Sequence, residues 1–130
     1  MTLPANDQAY LDERGGGYRV VLEANVTCIV LESFRLPAGY DRPQADLLLR
    51  LQPGYPDVPP DMWWFDPPVR FGDGGAPPAT ESMEPYLGRT WQRWSRHLSA
   101  GQWRSGIDCL ETFIALVRSE LRRCAPQAHG

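Results

Sequence analysis

The groups best suited to chemistry stand together in Thr90-Trp91-Gln92-Arg93-Trp94-Ser95-Arg96-His97. A hydroxyl lies two residues from an imidazole, and arginines alternate with tryptophans. In extended backbone, residues i and i+2 project from the same face. Ser95 and His97 could then meet, with the imidazole acting as base for a hydroxyl nucleophile. On a helix they would diverge by about 160°, because each residue turns roughly 100°. Spacing alone favours a plainer arrangement, an aromatic segment packed on the core with arginines stacked over tryptophan and His97 simply hydrogen-bonded.

Other reactive groups offer less. Cys28, Cys109 and Cys124 form no C-x-x-C pair, and an odd number argues against a disulfide framework. A reducing cytoplasm is the expected compartment. Cys28 reads as a small core residue inside a strand, Cys109 as a partly exposed helix position, and Cys124 as a residue of a fraying helix end. His97 and His129 are the only histidines, too few for a His-rich metal site, and no cofactor is expected. Nucleophile-elbow, phosphate-loop and zinc-protease motifs are absent. Gly72-Asp73-Gly74-Gly75 opens no helix, so it reads as a flexible turn.

The elements that must position these groups are legible from patterning. Asn6 is expected to cap a helix over 7–14 that stops at Gly15-Gly16-Gly17. Segments 18–23 and 26–34 read as strands joined by a tight Ala24-Asn25 turn. Segment 45–51 is a third strand, apolar enough to be buried on both faces, and 62–65 is a short fourth. Glycine, proline and polar residues over 72–85 predict a long surface loop of a kind that is often functional. Ser105 and Asp108 have N-cap and N3 spacing for a C-terminal helix. Ile107, Leu110, Ile114, Val117 and Leu121 share one face of it, and Arg118, Arg122 and Arg123 lie near its C-terminal end. The expected fold is α+β: a four-stranded antiparallel meander, a short N-terminal helix and a C-terminal amphipathic helix packed on one side. One domain over 1–124 and a flexible tail over 125–130 are expected.

The totals narrow the function. A net charge of −3 makes no electrostatic case for nucleic acid. No apolar run approaches the roughly 18 residues of a membrane span, and the start lacks the basic-then-apolar pattern of a secretory leader. All 13 basic residues are arginine, and there is no lysine. A GC-rich genome is the plain cause. An acyl-handling protein would also gain by offering no side-chain amine to its own cargo.

One corner gives these elements a family. Gly54-Tyr55-Pro56-Asp57-Val58-Pro59-Pro60 joins the third strand to the aromatic run Met62-Trp63-Trp64-Phe65. Its prolines fix φ and withdraw backbone donors, leaving a stiff corner with Tyr55 as an aromatic lid. With Leu36-Pro37-Ala38-Gly39-Tyr40, the 88–97 block and Trp103 before the last helix, the order resembles the ubiquitin-conjugating fold. Most closely it resembles the prokaryotic ubiquitin-conjugating-like proteins of family E, over nearly the whole chain.

The resemblance implies a protein that accepts an activated ubiquitin-like protein from an activating enzyme and transfers it to an amine. The family's cysteine belongs between the aromatic strand and the tryptophan before the last helix, and this chain has none there. The His-Pro-Asn preceding it is also missing. Counting back from Trp103, the usual offset lands on Ser95. The resemblance thus implies an oxyester on Ser95, with His97 as base and Gln92, Arg93 or Arg96 steadying the oxyanion. Tyr55, Pro56, Pro59, Pro60 and Trp94 would form the structural corner and partner surface. The alternative is a catalytically inactive variant that binds a ubiquitin-like protein or an activating enzyme. A third is that His97 alone is the functional group.

Overall fold

Ala24 and Asn25 both adopt left-handed backbone, with φ of 52° and 66°, the twist that suits a two-residue hairpin. They join β1 (Tyr18–Glu23) to β2 (Val26–Arg35), as the sequence predicts. The computed structural model describes residues 3–126. The further elements are α1 (Ala5–Glu13), β3 (Gln44–Leu51), β4 (Trp63–Asp66), β5 (Met83–Tyr86), β6 (Arg89–Trp94) and α2 (Leu110–Cys124).

The strands form one antiparallel sheet in the order β1-β2-β3-β4-β6-β5. Alternation along them sorts side chains into two buried layers. Ile29, Leu49, Phe65 and Trp94 face α1 and α2, meeting Leu11, Phe113, Ile114 and Val117. Cys28, Val30, Leu48, Trp64 and Trp91 face the other way. That second layer is covered by the sheet's own curl, which brings the Leu87 amide to 3.1 Å from the Glu23 carboxylate. The near-continuous apolar character of β3 follows from burial on both faces, as expected.

The sequence pattern predicts four strands, and the sheet has six. The two unanticipated strands form a hairpin within and beyond the 72–85 segment, which is therefore not all loop. Pro85 argues against a strand, but β5 is a sheet edge, where a residue without an N–H is tolerated.

Both helices also begin elsewhere than predicted. Pro4, not Asn6, precedes the first turn of α1. α2 starts at Leu110, behind a capping box made by Cys109 and Thr112. Ser105, expected as the cap, instead donates its hydroxyl to the Asp57 carboxylate, and Asp108 accepts from the Arg104 amide at 2.7 Å. Ile107, expected on the packed face, is consequently exposed.

The proline corner ties sheet to helices. The Tyr55 hydroxyl donates to Asp7 Oδ2 at 2.6 Å, and Asp7 Oδ1 accepts the Leu110 amide at 2.9 Å, opening α2. Trp103 donates its indole N–H to the Pro56 carbonyl at 2.8 Å. Tyr55 is 6% exposed, so it is a buried brace rather than a surface lid. Burial, reinforced by the bond to Asp7, pushes its phenol far above the ordinary range. At the other end of the chain, a Cβ on Gly39 (φ +103°) would fall 3.1 Å from Ala125 Cβ, a close approach that suits glycine. Of the expected tail, 125–126 pack there, and 127–130, with His129, lie outside the described residues.

Candidate active site at the end of β6

β6 runs between β4 and β5, pairing Trp94 with Trp63 and Arg93 with Trp64. Its regular backbone ends at Trp94. The Arg96 amide then donates to the Trp94 carbonyl at 2.9 Å, closing a three-residue turn centred on Ser95. The Ser95 amide donates to the Ala79 carbonyl at 3.1 Å, and the Met62 amide donates to the Arg96 carbonyl at 3.1 Å. Ser95 and His97 are therefore held on irregular backbone pinned to two neighbouring segments, neither strand nor helix.

Arg93 projects from the face opposite Gln92. Its Nε donates to Ser95 Oγ at 3.0 Å, and its Nη1 donates to Glu84 Oε2 at 3.0 Å. Glu84 also accepts from Trp64 Nε1 at 2.8 Å and from the Tyr86 hydroxyl at 3.1 Å. Burial alone would raise the Glu84 pKa, but the donors from Trp64, Tyr86 and Arg93 outweigh it and hold the carboxyl below its ordinary range. A fixed carboxylate thus aims a guanidinium at the serine.

Arg96 is a clamp. Its Nε donates to Glu120 at 3.0 Å, its Nη1 to the Pro78 carbonyl at 2.6 Å, and its guanidinium stacks 4.8 Å from the Trp94 ring centroid. Its Nη2 lies 3.7 Å from Cys124 Sγ. Glu120 is held ionised chiefly by Arg123, against burial, with Arg96 adding to the effect.

His97 is exposed, and its Nδ1 lies 2.9 and 3.1 Å from the two Asp61 carboxylate oxygens. Among the described residues no hydrogen bond joins Ser95 to His97. Both line a cavity of about 330 Å³, floored by Trp63, Phe113 and Leu116. A second cavity of about 540 Å³ lies across the Ser95–Arg96 shoulder, toward Ala79 and Cys124.

The remaining sequence-selected residues fall behind the site. Gln92 is 4% exposed, and its amide bridges the Val69 N–H at 2.8 Å, the Val69 carbonyl at 3.0 Å and the Trp94 indole at 2.9 Å. Its amide braces the core beneath the turn and does not face the cavity. Trp94 is 0% exposed and packs against Trp63 and Phe65, so it offers no partner surface. Pro60 is buried, while Pro56 and Pro59 are half-buried at the corner. Burial pushes the Cys28 thiol up. Cys109 is the α2 cap, and Cys124 lies beside Arg96 rather than at a loose end.

Asp61, Glu84 and Glu120 are the site residues that sequence patterning does not single out. Only Glu120 carried a local signal, an i,i+3 spacing to Arg123. No group of three His, Cys, Asp or Glu side chains gathers to hold a metal among the described residues.

A curled antiparallel sheet, two helices on one face and a proline corner bracing them define a ubiquitin-conjugating-like α+β protein. The chain belongs to prokaryotic E2 family E, whose model matches residues 3–124. Membership gives it a role related to ubiquitin conjugation and partners from a ubiquitin-like pathway. No curated protein and no solved structure matches the chain. No helix among the described residues is long and apolar enough to cross a membrane.

Proposed function

We propose that this protein accepts the activated C-terminus of a ubiquitin-like protein as an oxyester on Ser95 and passes it to an amine. The observation that carries the proposal is the placement of Ser95 Oγ: it lies 3.0 Å from Arg93 Nε on the wall of a cavity that His97 also lines. In loading, His97 takes the hydroxyl proton, directly or through one water, as Oγ attacks the thioester carbonyl. The new O–C bond forms, the C–S bond breaks, and the departing thiolate of the activating enzyme recovers the proton. In transfer, an amine nitrogen attacks the ester carbonyl, the C–O bond breaks, an amide forms and the serine oxygen is reprotonated. Arg93 donates to the serine oxygen in both steps, and Arg96 holds the turn in shape. A serine hydroxyl is a weak nucleophile unaided, so His97 is indispensable on this reading.

The binding-module reading draws on one observation, the lack of a hydrogen bond between Ser95 and His97. One experiment separates the two. The protein is incubated with a bacterial ubiquitin-like protein loaded as a thioester on its activating enzyme. The carrier reading expects an adduct that survives thiol reductant, yields to hydroxide and disappears in Ser95→Ala. Conjugation unchanged in both Ser95→Ala and His97→Ala, or a reductant-labile adduct mapped to Cys109 or Cys124, overturns it.

A further inference from the structure

We infer that Asp61 is the positioning residue for His97, fixing which imidazole nitrogen is free to take the Ser95 proton; this rests on the acyl-carrier reading. An ionised carboxylate can only accept hydrogen bonds, so a ring nitrogen facing it carries the proton. Both Asp61 oxygens lie about Nδ1, at 2.9 and 3.1 Å. Nδ1–H is therefore the donor, and the lone pair is left on Nε2. The pairing is built by the backbone. Met62 N–H donates to the Arg96 carbonyl at 3.1 Å, which sets residues 61 and 97 opposite one another. Met62 adopts left-handed backbone, φ 61°, where the chain swings from the proline corner into β4. The stiff corner thus delivers the carboxylate to the histidine, giving the proline run a purpose at the site as well as in the fold.

The Asp61 and His97 side chains are 52% and 64% exposed, which keeps the expected effect modest. The test compares the rates at which the acyl group loads onto residue 95, as an oxyester on serine or a thioester in a Ser95→Cys background, in the full chain carrying Asp61→Ala or Asp61→Asn. Asparagine nearly matches aspartate in shape, yet its amide can donate to Nδ1 and release the tautomer. Both substitutions should slow loading of Ser95 by about tenfold, within the range of base catalysis. With cysteine at 95 the same substitutions should cost less than about twofold, because a thiol is partly ionised at neutral pH and strongly nucleophilic. Asp61→Glu, which keeps the carboxylate, should recover part of the rate. An equal loss in the serine and cysteine backgrounds would make Asp61 a structural residue and overturn the inference. No loss with serine would overturn it too. If no Ser95-dependent, hydroxide-labile adduct forms at all, the carrier reading itself fails and takes this inference with it.

Discussion

Asp7 is 1% exposed and accepts two hydrogen bonds from different parts of the fold, the Tyr55 hydroxyl at 2.6 Å and the Leu110 amide at 2.9 Å. Replacing it with alanine removes an acceptor that joins the corner to both helices. A hydrogen bond to a charged group contributes about 1.5–3 kcal/mol. Leaving the first amide of α2, Leu110 N–H, without its acceptor costs about 1 kcal/mol more. Asp7→Ala should therefore destabilise the fold by about 3 kcal/mol. With an m-value of roughly 2 kcal/mol/M, the urea midpoint should fall by about 1.5 M. Asp7→Asn keeps the volume and one acceptor oxygen, so it should cost about half as much. The origin of the loss is checked by adding Tyr55→Phe. Alone, that change leaves a carboxylate oxygen without its donor and destabilises. In the Asp7→Ala background it removes an orphaned hydroxyl and should be neutral or stabilising. Additive losses, or an Asp7→Ala cost below about 1 kcal/mol, would refute the assignment of Asp7 as the corner's anchor.

Arg93→Gln should release Ser95 Oγ from its fixed position and slow loading about tenfold, about 1.4 kcal/mol in the barrier, and single-turnover rates check this. Gln92→Leu strands the Val69 amide and carbonyl and the Trp94 indole inside the core, so it should lower stability by about 2–4 kcal/mol, read as a thermal shift. The Glu84 carboxyl is held below its ordinary value of 4.5. A depressed acid contributes stability that is complete above that value and is lost as pH falls through the folded pKa. Urea midpoints measured down into that acid range should drop more steeply for the native chain than for Glu84→Gln.

Short-range signals made much of the fold legible. The β1–β2 hairpin was readable because the turn and its strands lie within one short stretch, and Asn25 tolerates the left-handed backbone its position requires. The β5–β6 hairpin escaped for the opposite reason. Its turn uses Leu87, φ 56°, before Gly88, and leucine gives no turn signal there, while Pro85 argues against a strand. Local spacing puts the start of α2 at Ser105, but that hydroxyl finds Asp57, 48 residues away. Ser95, His97 and Arg93 stood out by type and spacing. Asp61 and Glu84 did not, because their contacts depend on the Met62–Arg96 backbone bond and on the register of β4, β5 and β6. For Trp94 the two readings diverge: residue spacing packs the tryptophans of 90–97 on the core, the family resemblance puts Trp94 on a partner surface, and strand alternation turns it into the core.

Arg93 joins Glu84 and Ser95 with two nitrogens of one planar group. A lysine ends in a single nitrogen and could not span both partners as a rigid fork does. The larger difference is in reactivity. A guanidinium stays protonated and withholds its lone pair from a neighbouring ester, whereas a lysine amine that sheds its proton is a nucleophile. On the carrier reading, Arg93→Lys would put such an amine beside the ester carbon, and the cargo would pass onto residue 93 as a hydroxide-resistant amide. The cation next to the serine must attract electrons without ever supplying them, and at that position arginine separates a carrier from a protein that acylates itself once and stops.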